Sequence, residues 1–240
     1  GFVYPAFDQI VTQLAKLTSR HEGTQAFPVV IRIPYGGHIG AIEHHQESPE
    51  AYFAHTAGLR VVSPATPRDA YWMIQDAIAS SDPVIFLEPK SRYWHKGQVD
   101  VEVPGLEMNQ AEIARVGRDV TLIGHGAAVA MMQQAADIAE GEGISIEVIN
   151  LRSLSPLDMD TVMESVRKTT RAVVVQEAPG NASLGSEVAA TLAEQAFYVM
   201  QAPVLRVSGF NAPFPPAGLE SIYLPDTDRI LDAVDRSMAY

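Results

Sequence analysis

Strongly apolar, β-branched runs alternate along this chain with longer segments whose apolar residues recur every three or four positions. PVVIRI (28–33), LRVV (59–62) and PVIFLE (83–88) read as buried strands. Residues 5–19 and 67–81 read as helices, each opening with a proline near the first helical position, where a missing N–H costs nothing. In the first of them Phe7, Ile10, Val11, Leu14 and Leu17 share a face. Residues 91–109 carry no clear period and read as a linker. Alternation then resumes, with strands at 120–126, 144–149, 172–177 and 204–209 and helices at 127–141, 158–169, 184–199 and near 227–238. Buried strands separated by helices predict an α/β fold. It has two mostly parallel sheets covered by helices, one over 1–90 and one over 110–240.

Composition narrows the function. Hydrophobic residues make up 47% of the 240 and charged residues 19%, the balance of a soluble globular chain. Cysteine is absent, which excludes disulfides, thiol catalysis and cysteine-held metals. A formal net charge of −12 argues against nucleic acid or an anionic membrane as partner and suits a basic protein partner. No apolar run approaches the roughly 20 residues of a membrane span. With no recognisable signal peptide, the expected compartment is the cytoplasm, or the mitochondrial matrix in a eukaryote.

Three stretches carry candidate chemistry. IEHHQESPE (42–50) sets His44 and His45 between Glu43 and Glu47, just after the glycine-rich PYGGHIGA. With His38 these are enough ligands for a metal, but the spacing is not H-E-x-x-H, and adjacent histidines on an extended segment point to opposite faces. An acid–base histidine and a pair of solvated loop histidines both stay open on spacing alone. LIGHGAAVA (122–130) resembles a broken dinucleotide-binding turn: Gly124 and Gly126 are present, but Val129 stands where a small residue belongs. Glu147 lies about where a ribose-binding acid is expected. SLSPLD (153–158) and APFPP (212–216) look like rigid connectors, with Ser155 or Asp158, and later Asp226 or Thr227, as helix caps. A G-x-S-x-G nucleophile elbow and a P-loop are both missing.

Taken together, GFVYPAFDQI, VVIRIPYGG, EHHQESPEAYFAHTAGLRVVSPATPRDA and PVIFLEPK, then EVINLRSLSPLDMDT, VVVQEAP and APVLRVSGFNAPFPP, resemble a known family. It is the β subunit of the decarboxylase component of thiamine-diphosphate-dependent 2-oxo acid dehydrogenases, matched in order along the whole chain. The resemblance implies a pyrimidine-binding domain, partial here over 1–90, the linker 91–109, and a transketolase C-terminal-like domain over 110–240. It also implies an α2β2 heterotetramer with the cofactor between subunits. There α holds the diphosphate and Mg2+, β cradles the aminopyrimidine, and a lipoyl acyltransferase accepts the acyl group.

By the same resemblance His45 is the catalytic residue, with His44 as its neighbour. Glu47 would raise the His45 pKa if close, Phe2 packs near the aminopyrimidine, and His55 makes a structural hydrogen bond. Backbone carbonyls of Val29, Val30, Ala77, Ser80 and Asp82 match a structural potassium site of some members. Asp232 and Asp235 are candidate acyltransferase contacts. Gln176 stands where the family usually has histidine in His-Glu-Ala.

Family β subunits run about 80 residues further upstream, roughly half a typical domain, and that stretch holds the glutamate that activates the cofactor. The expectation is therefore a truncated subunit, inactive alone. Among substrates, GGHIGAIEHH and DAYWMIQDAI favour branched-chain 2-oxo acids over pyruvate. A transketolase-like enzyme and a nucleotide-binding module at Gly124–Gly126 are the alternatives.

Overall fold

Nine strands form two sheets in the computed structural model, which describes residues 1–240. The chain enters through a 3-10 turn (Tyr4–Ala6), a π-helix (Gln9–Leu14) and α1 (Ala15–Arg20), where the sequence predicts one continuous helix. The wider turn fits the burial: Ile10 and Ala15, five residues apart, both enter the core. β1 (Val30–Tyr35) leads through the glycine loop into two short helices, α2 (Glu43–Gln46) and α3 (Glu50–Ala54). β2 (Arg60–Val62), α4 (Pro67–Ala79) and β3 (Val84–Pro89) follow. Thr66 and Asp69 close a reciprocal capping box on α4, with Pro67 at the expected first position. Such a cap stabilises a helix by about 1 kcal/mol.

Residues 93–111 hold neither helix nor strand. The second unit then runs β4 (Glu112–Arg115), β5 (Val120–Gly124), α5 (Ala128–Gly141), β6 (Ile146–Asn150), β7 (Ser153–Ser155), α6 (Met159–Thr169), β8 (Ala172–Pro179), α7 (Leu184–Gln195), β9 (Leu205–Gly209), α8 (Glu220–Tyr223) and α9 (Thr227–Met238). The sheet orders are β1-β3-β2-β7 and β4-β6-β5-β8-β9. Every neighbouring pair is parallel except β2–β7 and β4–β6. All residues of β3, β5 and β6 are buried, which is why these strands read as mostly apolar runs without a two-residue alternation.

Two details differ from the sequence reading. SLS of the supposed connector is β7, which crosses from the second unit to pair with β2; Ser155 is thus a strand residue and caps nothing. Asp158 and Asp226 do cap α6 and α9. α7 ends at Gln195, four residues early, leaving Phe197 and Tyr198 on the surface.

The two units share their largest core. Ile33, Phe53 and Leu87 from the first meet Ile149, Leu154 and Leu184 from the second. Arg152, almost fully buried, binds Asp69 at the start of α4 (2.8 Å) and donates to the carbonyls of Leu106, Glu107 and Gln110 in the connecting segment. Each guanidinium nitrogen finds an acceptor, so this buried charge is fully compensated.

Candidate functional site

The C-terminal end of β1 sets the site. From Tyr35 the chain turns through Gly36 (φ +84°), His38 (φ +65°) and Gly40 (φ +65°), and then closes the helical turn α2. That turn corrects the extended reading of the histidine pair. Helical geometry brings the rings to one side, 4.3 Å apart between centroids. Phe2 meets both edge-on, 5.3 Å from His44 and 5.1 Å from His45. Pi-faces and edges at these distances attract, so the three rings hold one another in place.

Behind them lies a cavity of about 450 Å3 walled by Val3, Ile31, Ile33 and Pro34, with Lys90 at its side. The Lys90 ammonium, half-buried and without a hydrogen-bond partner, has its pKa lowered by burial, against the pull of the Glu177 carboxylate. A larger cavity, about 670 Å3, lies on the other side of Arg32, between β3, the start of α4 and the Arg92–His95 segment. None of the expected site residues lines it, so size does not mark the chemistry here.

Two carboxylates of the second unit reach across to the glycine loop. Glu177, buried at the end of β8, accepts from the Gly37 N–H (3.2 Å) and lies 3.4 Å from His38 Nε2. Glu220, at the start of α8, accepts from the N–H groups of His38 and Gly40. The Glu177 carboxylate beside its ring raises the His38 pKa against the opposing effect of burial.

Other expected contacts fall elsewhere. Glu47 does not engage His45: its carboxylate lies by the Tyr4 hydroxyl, whose pKa burial first and this neighbour second push up. His55 lies exposed at the end of α3 beside a third cavity, its ring without any hydrogen bond. The Gly124–Gly126 turn is filled. A Cβ on Gly126 would lie 2.4 Å from the Tyr35 hydroxyl, and one on Gly124 would lie 2.8 Å from the Val175 carbonyl. Glu147 is spent on Lys168 and the Gly117 N–H, which keep its pKa low although burial alone would raise it. No room is left there for a pyrophosphate.

At the proposed potassium position, the Val29, Ala77 and Asp82 carbonyls already accept from Val84 N, Ser80 N and Ser80 Oγ. Each carbonyl oxygen keeps a second lone pair, so these bonds leave the position open to a cation. No three His, Asp or Glu side chains converge as metal ligands would. Asp232 and Asp235 stand on the outer face of α9, Asp232 paired with Arg236.

Comparison with known proteins bears on this geometry. Residues 1–95 match the pyrimidine-binding domain of transketolase and residues 109–230 its C-terminal domain. A pyruvate dehydrogenase E1 component subunit beta from Leifsonia xyli is 63% identical over all of this chain and 71% of its own length. The chain belongs to the family of 2-oxo acid dehydrogenase E1 β subunits.

A 3-methyl-2-oxobutanoate dehydrogenase subunit beta from Mycobacterium tuberculosis is 50% identical, over 98% of this chain and 68% of the relative. Among solved structures, a split-gene transketolase described as an inactive β4 tetramer superposes with a TM-score of 0.74. It is 24% identical and covers 94% of this E1 β-type chain and 74% of its own, which bears on the fold alone.

Sequence reasoning did not single out Lys90, Glu220 or Gln46 as site residues: Lys90 and Glu220 reach the site only through tertiary folding, and Gln46, although next to His45, shows no local sign of its burial.

Proposed function

We propose that this E1 β-type chain cradles the aminopyrimidine of thiamine diphosphate. In an assembly with an α subunit that holds the diphosphate and Mg2+, it would support oxidative decarboxylation of a 2-oxo acid and acyl transfer to a lipoyl group. The observation that carries the reading is the Phe2–His44–His45 cluster at the mouth of an apolar cavity. A flat heteroaromatic ring fits such walls, and imidazole is the side chain that exchanges protons near neutral pH.

When bound, the cofactor supplies the electron sink for loss of CO2. This chain's residues would act on the bound group: Phe2 would support a ring face, and His45 would hold or move a proton at its imidazole. His44, stacked on it, limits its rotation, and the apolar wall of Val3, Ile31 and Ile33 excludes water. A second β subunit and a lipoyl acyltransferase complete the proposed assembly, with Asp232 and Asp235 as acidic contacts for the latter. The potassium site carries no step in this reading.

For the substrate, a branched-chain 2-oxo acid is the first reading, supported by the loop and α4 sequences and by the relatives named for 3-methyl-2-oxobutanoate. Pyruvate is the second, favoured by the 63% identical relative. The test is turnover of both acids by a full-length β subunit that contains this sequence, reconstituted with an α subunit, cofactor and Mg2+. Cofactor-dependent decarboxylation that disappears in His45→Ala supports the proposal, and the faster acid names the substrate. Absence of decarboxylation with either acid, or full activity in His45→Ala, overturns it.

A further inference from the structure

Five consecutive backbone N–H groups of the glycine loop each have a distinct acceptor. Gly36 donates to the Glu47 carbonyl, Gly37 to Glu177, His38 to Glu220, Ile39 to the Gln46 side chain, and Gly40 to the second oxygen of Glu220. Alternating left-handed residues turn these donors inward, making a concave nest that selects negative charge. Two of its acceptors are carboxylates of the other domain, brought in from the ends of β8 and α8. Gln46 then ties the loop to the histidines. It is fully buried in the same helical turn, and it accepts from Ile39 while donating to the Ala41 carbonyl at 2.6 Å.

We infer that Glu220 and Glu177 are positioning residues for the His44–His45 pair. They act through the loop and Gln46 and so couple the C-terminal domain to chemistry on the pyrimidine-binding domain. The inference rests on the reading of that pair as the proton-handling site. The chain of contacts has no slack. Without these carboxylates the N–H groups of Gly37, His38 and Gly40 would each lose a hydrogen bond to a charged acceptor, so the loop keeps its left-handed turns only while both carboxylates are in place. A change of about 1 Å in where the turn begins moves both rings, and misplacement on that scale costs on the order of 100-fold in rate.

Glu220→Gln removes one of the two acceptor oxygens and puts an NH2 against a backbone N–H. Gln46→Leu cuts the same path on the first domain and leaves the second untouched. In both variants hydrogen exchange of residues 36–42 is expected to quicken about 10-fold or more. The ring resonances of His44 and His45 shift, and kcat of the reconstituted enzyme falls about 10- to 100-fold with KM changing less. Unchanged exchange and unchanged ring resonances in a folded variant of either kind overturn the inference. These two readouts need no turnover. An inactive wild-type assembly would count against the proposed function, and the positioning role would still be decided.

Discussion

Two glycine turns follow β-strands in this molecule, and in sequence they look like equal candidates for a ligand site. Around Gly124–Gly126 the other domain packs straight onto the backbone, with Tyr35, Ser63 and Pro89 occupying the space a ligand would need. Its histidine, His125, is buried 3.6 Å from Glu50. Around Gly36–Gly40 the other domain instead offers carboxylates to the N–H groups and leaves the following histidines at a cavity mouth. Both turns hold left-handed glycines, Gly126 in the first and Gly36 and Gly40 in the second, so what separates them is the chemistry the other domain brings, hydroxyls and a proline against carboxylates. The same residue pattern therefore marks a domain seam in one place and a working surface in the other.

Changes at the two histidines sharpen this contrast most. His45→Ala is expected to lower the decarboxylation rate about 10²- to 10⁴-fold, the usual range for a lost acid–base group, with the melting temperature almost unchanged. His125→Ala should do the reverse. It strands the buried Glu50 carboxyl and costs about 3 kcal/mol of stability, read as a fall in melting temperature of roughly 6–12 °C. A large rate loss without destabilisation in His125→Ala would break the comparison.

Glycine replacements come next. Gly126→Ala drives a Cβ into the Tyr35 hydroxyl at positive φ and should cost about 1–3 kcal/mol in denaturant unfolding. Gly40→Ala meets nothing nearer than the Ala217 Cβ at 3.7 Å, so only the left-handed backbone penalty of about 1–2 kcal/mol remains. Titration with NAD or ATP should show no saturable binding at the filled turn.

The smallest effect is a pH dependence. The His38 pKa is raised by the adjacent Glu177 carboxylate, with the Glu220 charge adding and burial opposing. A raised histidine stabilises the fold fully below its unfolded value near about 6.5 and loses that contribution as pH rises through the higher folded value. His38→Asn keeps a residue that tolerates φ +65°. The melting-temperature gap between wild type and this variant should therefore shrink from pH 6 to pH 8. Because the ring is half exposed, the gap corresponds to less than about 1 kcal/mol.

Most of the fold is legible in the sequence where elements are long. Five to eight residues that are nearly all buried, or three turns of amphipathic helix, outweigh local ambiguity, as in β3, β5, β8 and α9. Short elements are another matter. The three residues of β7 and the four of α2 are too few to show a period, and both are fixed by partners far along the chain. For the site, spacing pointed at His44 and His45 but put their rings on opposite faces. Phe2 and the preference for His45 came from family resemblance. Glu177 was visible only as part of a family motif, and Glu220 not at all, because a carboxylate that binds backbone N–H groups 180 residues away leaves no local pattern.

The crossing strand β7 has a practical consequence for anyone cutting this protein into parts. A fragment ending in the segment before β4 would keep β1, β3 and β2 but bare the edge of β2, with its backbone donors and acceptors open to any passing strand. It would also lose Leu154 and Leu184 from around Phe53. Such a fragment should come out of expression as aggregate, whereas a split that leaves residues 153–155 attached to the first half, through an inserted linker, restores the missing edge.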